Sequence, residues 1–428
     1  MAAATDPALH QRTLDNGLSV LALPMPHSRS VTVGFYFGAG SRYERPEEAG
    51  ISHLVEHCCF KGSPGWPTAP QISAAIEGVG GVLNAGTDRE YTVYYAKVPA
   101  AHAEVAIDVL ADIVLRPLID AEELEKERSV ILEELAMVED NPGQLAEIVL
   151  DGLLWPGQAL GRDIAGTPES VQAIPRDRTV AYRRDQYTPD NALLSIAGAI
   201  DPEQAFAMAE RSVAVWEYGC AVGPETYAAP PSDSPRVRVQ AKPSEQAHLV
   251  IGLPGLSARD EDRYALSVLT TVLGDGMSSR LFVSLREELG LAYDVHASAS
   301  NLRDTGSLFV YLGVDPENAL PALRAALDQL AGLRDGVPAA ELHRVREYLK
   351  GRMLLNMEDT RAVSSWYGVQ ALLLNRTRSV DEIVERIEAV SPEQLADLAG
   401  RLIRDDALHL GVVGPFEAQE PFREALHL

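Results

Sequence analysis

The segment His53-Leu54-Val55-Glu56-His57 sets two imidazoles and a carboxylate within five residues. Histidines four apart lie one above the other on a helix, and Glu56 falls on that same face. Ile51, Leu54, Val55, Cys58 and Cys59 follow the i, i+3, i+4, i+7, i+8 pattern of a buried stripe. At about 100° per residue that stripe points away from His53, Glu56 and His57. A helix here would bury one side and offer two imidazoles and a carboxylate from the other. Neutral imidazoles are good zinc ligands, and a catalytic zinc usually has three protein ligands and a water. The metal acidifies the water, and a neighbouring carboxylate can take its proton. The competing reading is a helix whose histidines face solvent, and the rest of the chain must decide between them.

A third ligand has a candidate source. Residues 121–140 read as a long acidic helix with a core stripe of Leu124, Ile131, Leu135 and Val138. Glu127 and Glu134 are seven apart and share a different face. A glutamate from a second helix can complete a zinc site, and another two turns away can orient a ligand. Glutamates stand at positions 122, 123, 125, 127, 133, 134 and 139, so spacing alone does not choose among them.

The elements that must hold these residues are legible in order. Residues 12–24 read as strand, Asn-Gly turn, strand, and 31–37 as a further strand. After a glycine-containing loop, Pro46-Glu-Glu opens the histidine helix. A helix near 69–78 follows, then β-rich runs at 82–91 and 92–98 and a helix at 101–115. Residues 192–199 are a closing strand, and the Pro- and Gly-rich stretch 217–240 reads as a linker. The expected division is therefore 1–216, a linker at 217–240, and 241–428.

The second half echoes the first. Strand-rich runs at 247–252 and 291–299 precede helices at 316–334 and 339–358. Glu341-Leu-His-Arg through Met357-Glu-Asp359 echoes Glu123-Leu-Glu-Lys through Val138-Glu-Asp140. Ile387-Glu-Ala-Val-Ser through Val413-Gly-Pro415 echoes Val171-Gln-Ala-Ile-Pro through Ala199. A nearly constant offset points to internal duplication, with the metal motif kept in the first copy only.

Bulk properties fit a soluble globular protein. At 428 residues the chain is too long for one ordinary core. A net charge of −25 argues against sequence-independent nucleic-acid binding. The N-terminus lacks a basic segment followed by an apolar run, and no stretch approaches 18 apolar residues. Three cysteines, two of them adjacent, make no disulfide framework, so the expected compartment is the cytoplasm, with no membrane partner. Cys58 and Cys59 fall on the apolar stripe and read as packed thiols.

With the motif, the distal glutamates and the duplication in hand, the chain resembles the pitrilysin family of zinc peptidases. It looks closest to the branch of the mitochondrial processing peptidase β subunit and its short bacterial relatives. The resemblance runs over most of the chain. It rests on Gly40-Ser-Arg-Tyr-Glu44, His53–His57 with Phe60-Lys-Gly62, Gly80-Gly-Val-Leu-Asn-Ala85 through Thr92-Val-Tyr-Tyr95, Glu127-Arg-Ser-Val-Ile-Leu-Glu-Glu134, and Gly276-Met-Ser-Ser-Arg-Leu-Phe282 through Arg286 and Gly290-Leu-Ala-Tyr293. One departure stands out: Ser63-Pro-Gly-Trp-Pro-Thr68 is richer in Pro and Gly than the family loop there.

The resemblance implies an α+β fold of two homologous domains, each a mostly antiparallel sheet covered by helices on one face. It implies one zinc per chain on His53, His57 and Glu134, with Glu56 as general base and Glu127 as the carboxylate behind a ligand. It implies that Asn84 and Ala85 lie on an edge strand that aligns the substrate backbone by β-augmentation. It implies that Arg286 and Tyr293 bind substrate and polarise the scissile carbonyl. Since the family's chamber takes four such domains and this chain supplies two, it implies a homodimer in which this pair serves the zinc of the other chain. The expected activity is endopeptidic cleavage of unfolded peptides or short polypeptides in an enclosed chamber, with basic residues preferred. The alternative is a non-catalytic structural or peptide-binding subunit of the same fold, like the core proteins of the respiratory bc1 complex.

Overall fold

Two sheets organise the chain, in a computed structural model that describes residues 8–231 and 234–428. The first contains β1 (His10–Thr13), β2 (Ser19–Pro24), β3 (Ser30–Phe37), β4 (Val82–Thr87), β5 (Thr92–Pro99) and β6 (Ala192–Gly198). Their order is β1-β2-β6-β3-β5-β4, with only β2 and β6 parallel. The second contains β7 (Val237–Ala241), β8 (Ala247–Pro254), β9 (Ala292–Asn301), β10 (Gly306–Val314) and β11 (His409–Gly414). Its order is β7-β11-β8-β10-β9, with only β7 and β11 parallel. Strand for strand, β7–β11 repeat the order and direction of β2–β6, so the echo in sequence is an echo in topology.

Period-two alternation sorts the first sheet into two faces. Val20, Ala22, Val33, Phe35 and Phe37 join the main core with α1 (Ile51–Cys59), α2 (Ala69–Glu77) and α3 (Ala103–Leu115). Leu21, Leu23, Tyr36, Leu193 and Ala197 form a second cluster on the reverse face, with Val363 and Tyr367. Those two residues belong to the helix Thr360–Leu374, which comes from the second half of the sequence. The expected helical layer is present, and this helix adds cover behind it.

The second sheet is built the same way. After α4 (Ala121–Glu139), helix α5 (Pro142–Leu154) packs on β8 and β11 through Leu145, Ala146, Val149 and Leu150, against Val250 and Val413. The compact units are accordingly discontinuous in sequence. One holds the described residues up to Leu135, with Asp163–Glu225 and Leu354–Val380. The other holds Ala136–Arg162, the described part of Thr226–Met353, and Asp381–Leu428. Each half of the sequence thus gives a helix to the other half's sheet.

Three local readings change. The stretch read as a linker at 217–240 ends in β7, while its residues 232–233, like residues 1–7 of the N-terminus, lie outside the described part. Strand β10 was not anticipated. The Pro- and Gly-rich loop after Gly62 is a pinned turn: Ser63 N donates to Trp66 O at 2.9 Å, and Gly65 N donates to the buried Asp112 carboxylate of α3 at 2.7 Å.

Candidate metal centre

Helix α1 carries the two histidines, and its start differs from the sequence reading. Pro46–Glu48 is a separate 3-10 turn, and α1 begins at Ile51 with no acidic residue in its own first turn. Gly50 precedes it at φ +92°, a conformation that favours glycine, and a Cβ there would meet Ala165 O at 2.4 Å. The capping carboxylate comes from farther back. Glu44 accepts from Gly50 N and Ser52 N, both at 2.8 Å, and is itself buried. A negative charge at this end favours the helix through both the orphan N–H groups and the dipole.

The predicted stripe is buried in full: Ile51, Leu54, Val55, Cys58 and Cys59 are each at most 2% exposed. His53, Glu56 and His57 are half-buried on the other side. There the structure brings α1 and α4 together. His53 Nε2 and His57 Nε2 are 3.2 Å apart, and Glu134 Oε2 lies 3.8 and 3.7 Å from them. Among the described residues, this is the one group of three or more His, Cys, Asp or Glu side chains whose donor atoms converge.

These residues fit a zinc ion. Zn–N and Zn–O bonds of about 2.0–2.2 Å in a tetrahedron place donor atoms roughly 3.4 Å apart, close to the three separations found. His57 Nδ1 contacts Glu127 Oε2 at 3.0 Å. A carboxylate accepts, so the ring proton sits on Nδ1 and the Nε2 lone pair points toward the other two donors. Burial, then the neighbouring His57, lowers the pKa of His53 to about 4, so that ring is neutral at pH 7. His53 Nδ1 is buried without a hydrogen-bond partner among the described residues.

Glu56 points across to the edge strand β4. Thr87 Oγ1 donates to Glu56 Oε2 at 2.5 Å. Burial raises the Glu56 pKa, with Thr87 and His57 opposing and Glu134 adding to the rise. One carboxylate oxygen is thus held by the edge strand. Asn84 and Ala85 lie on the same strand, whose outer side pairs with no strand among the described residues.

Arg286 and Tyr293 belong to the second unit, and the residues described above to the first. Arg286 sits on a π-helical turn, Phe282–Glu288, a form often found at functional sites. Its guanidinium stands 5.6 Å from the Tyr293 ring centre and 5.0 Å from that of Phe282. Tyr293 is 72% exposed. The two side chains therefore form a stacked, solvent-facing pair.

Sequence reasoning missed Thr87, Lys61 and the capping role of Glu44. Alternation along β4 puts Thr87 on the face of Leu83 and Ala85, toward the core, which was a usable signal. Lys61 follows the end of α1, where the dipole favours a cation.

The cysteines are packed. Burial pushes the Cys58 thiol well above its ordinary value and Cys59 to about 11, while Cys220 is exposed. A chromogenic disulfide reagent is expected to titrate one thiol of the three in the native protein and all three after denaturation. Two or more fast native thiols would show that α1 does not bury its stripe.

Comparison with known proteins follows the same lines. Residues 19–168 match the family described as Insulinase (Peptidase family M16), and residues 173–349 match the Peptidase M16 inactive domain. The chain is 38% identical over 401 residues to a Bacillus subtilis protein named Uncharacterized zinc protease YmxG, covering 92% of this chain and 95% of that one. It is 36% identical over 421 residues to an uncharacterized zinc protease of Streptomyces coelicolor, covering 97% and 91%. The crystal structure of a protease from Helicobacter pylori superposes with a TM-score of 0.90 at 21% identity, over 96% of this chain and all (100%) of that one, which shows a shared fold.

Proposed function

Because this chain belongs to peptidase family M16, whose relatives here are named zinc proteases, we propose that it is itself an active zinc endopeptidase. The observation that carries the reading is the convergence of His53 Nε2, His57 Nε2 and Glu134 Oε2 to within 3.2–3.8 Å, beside a carboxylate held by Thr87. In this reading those three residues hold one zinc per chain. Zinc, when bound, supplies Lewis acidity toward water and toward the scissile carbonyl.

The protein's own groups do the rest. Glu56 Oε2 is fixed by Thr87, so its other oxygen takes a proton from water and later delivers it to the leaving amine. A carboxyl whose pKa is raised by burial is better matched to hold that proton near neutrality. Glu127 fixes the His57 ring from behind. The free side of β4, at Asn84 and Ala85, offers main-chain donors and acceptors to an extended substrate, which suits unfolded peptides of varied sequence.

Arg286 and Tyr293, stacked and exposed, are assigned to substrate binding and carbonyl polarisation at the site of a second copy, in a homodimer that encloses a chamber. The net charge of −25 supports a preference for basic peptides. No helix among the described residues is long and apolar enough to cross a membrane, and we assign the protein to the cytoplasm.

One experiment tests this. The size-exclusion peak, its mass set by light scattering, is given a quenched, Arg-containing peptide before chelation, after it, and after zinc return. A dimer-mass peak whose cleavage is lost and then restored is the expected result. A fully active monomer would remove the shared-site arrangement, and activity indifferent to chelation would remove the metal.

A further inference from the structure

The candidate centre is held from behind on one side only. His57 Nδ1 faces Glu127, whereas His53 Nδ1 has no partner among the described residues. Behind Glu127 stands a residue that neither the motif nor the reading above uses. Lys61 Nζ lies 2.6 Å from Glu127 Oε1, the oxygen turned away from His57. Glu127 is nearly sealed from solvent, its side chain 7% exposed, and that of Lys61 is 26% exposed. Lys61 follows Phe60, the residue that caps α1, and its backbone N–H donates to Cys58 O at 3.2 Å, so its main chain is fixed by the same helix that carries the histidines.

We propose that Lys61 is a positioning residue for the metal centre. By gripping Glu127 Oε1, Lys61 turns Oε2 onto His57 Nδ1 and so aims the His57 Nε2 lone pair at the position shared with His53 and Glu134. The inference rests on the metal reading given above.

Two physical arguments support it. A buried carboxylate needs both oxygens partnered, and here His57 serves one and Lys61 the other. Without the ammonium, Oε1 is a buried charge-bearing atom with a lost partner, and the carboxylate gains by turning away from His57 toward water. The second argument is charge balance. Glu56, Glu127 and Glu134 set three acidic side chains about the two histidines, and Lys61 brings a basic side chain into contact with one of them.

The test measures zinc affinity of the metal-stripped full-length chain by competition with a chromogenic chelator, with folding checked by circular dichroism. Lys61→Met is expected to weaken zinc binding by about 10–100-fold, the range for loss of an outer partner, and Lys61→Arg to stay near wild type. Should the Met variant fold poorly, Lys61→Gln takes its place. In a Glu127→Gln background Lys61→Met is expected to add no more than about twofold. A general structural role would instead weaken binding equally in both backgrounds, and that result overturns the proposal. So does Lys61→Met binding zinc as tightly as wild type. A wild-type chain with no zinc affinity overturns the metal reading itself, a separate outcome.

Discussion

Glu56→Gln is expected to lower peptide turnover by about 10²–10⁴-fold, the range of positioned acid–base catalysis, while zinc content and thermal stability stay near wild type. The substitution keeps volume and keeps an acceptor for Thr87 Oγ1, so the edge-strand contact at 2.5 Å survives. It removes only the ability to take a proton. The buried stripe of α1 is on the opposite face and is untouched. Turnover, zinc stoichiometry and peptide affinity measured on one preparation decide the matter. Turnover within tenfold of wild type would show that Glu56 is not the base. Intact peptide and zinc binding with turnover absent even in the wild type would favour a peptide-binding subunit.

The second large effect concerns the proposed zinc ligands. His57→Ala or Glu134→Ala is expected to reduce bound zinc to a small fraction of the wild-type content after dialysis, with affinity down more than about 100-fold, beyond the loss for an outer partner alone. Activity falls in proportion. Glu133→Ala supplies the control, because Glu133 is exposed and lies outside the converging group. If Glu133→Ala lost metal as readily as Glu134→Ala, the acidic surface of α4 rather than a specific site would be holding zinc. Metal analysis after dialysis reads this without any substrate.

These effects test residues that the sequence exposed to different degrees. The face of α1 was readable because its five buried positions obey helical spacing. Its start was not, because the acid that caps it is Glu44, which reaches Gly50 N and Ser52 N through space. Local rules look for a cap next to the helix and found Pro46-Glu-Glu instead. On α4, seven glutamates look alike in spacing. What separates Glu134 and Glu127 is their nearness to His53 and His57, a long-range property. Thr87 and Lys61 are legible only as positions on a strand face and past a helix end, and their partners emerge on folding.

The sheets teach the same lesson. Ala192–Gly198 and His409–Gly414 are buried along their whole length, and a near-continuous apolar run is the mark of a strand covered on both faces. The need for a second cover was therefore written in the sequence. Its source, a helix from the other half, was not.

That reciprocal exchange of helices governs how the protein can be made. On the ribosome, β6 ends at Gly198, yet the helix that covers its reverse face is complete only at Leu374. At about 5–20 residues per second, the intervening synthesis lasts roughly 10–35 s. For that interval the nascent first sheet carries Leu21, Leu23, Tyr36 and Leu193 bare on one side. The first half is thus finished by the last quarter of the chain, and a gene split at the linker would separate each sheet from its own cover. Newly made protein is therefore a natural client for chaperones that shield apolar sheet faces until translation ends.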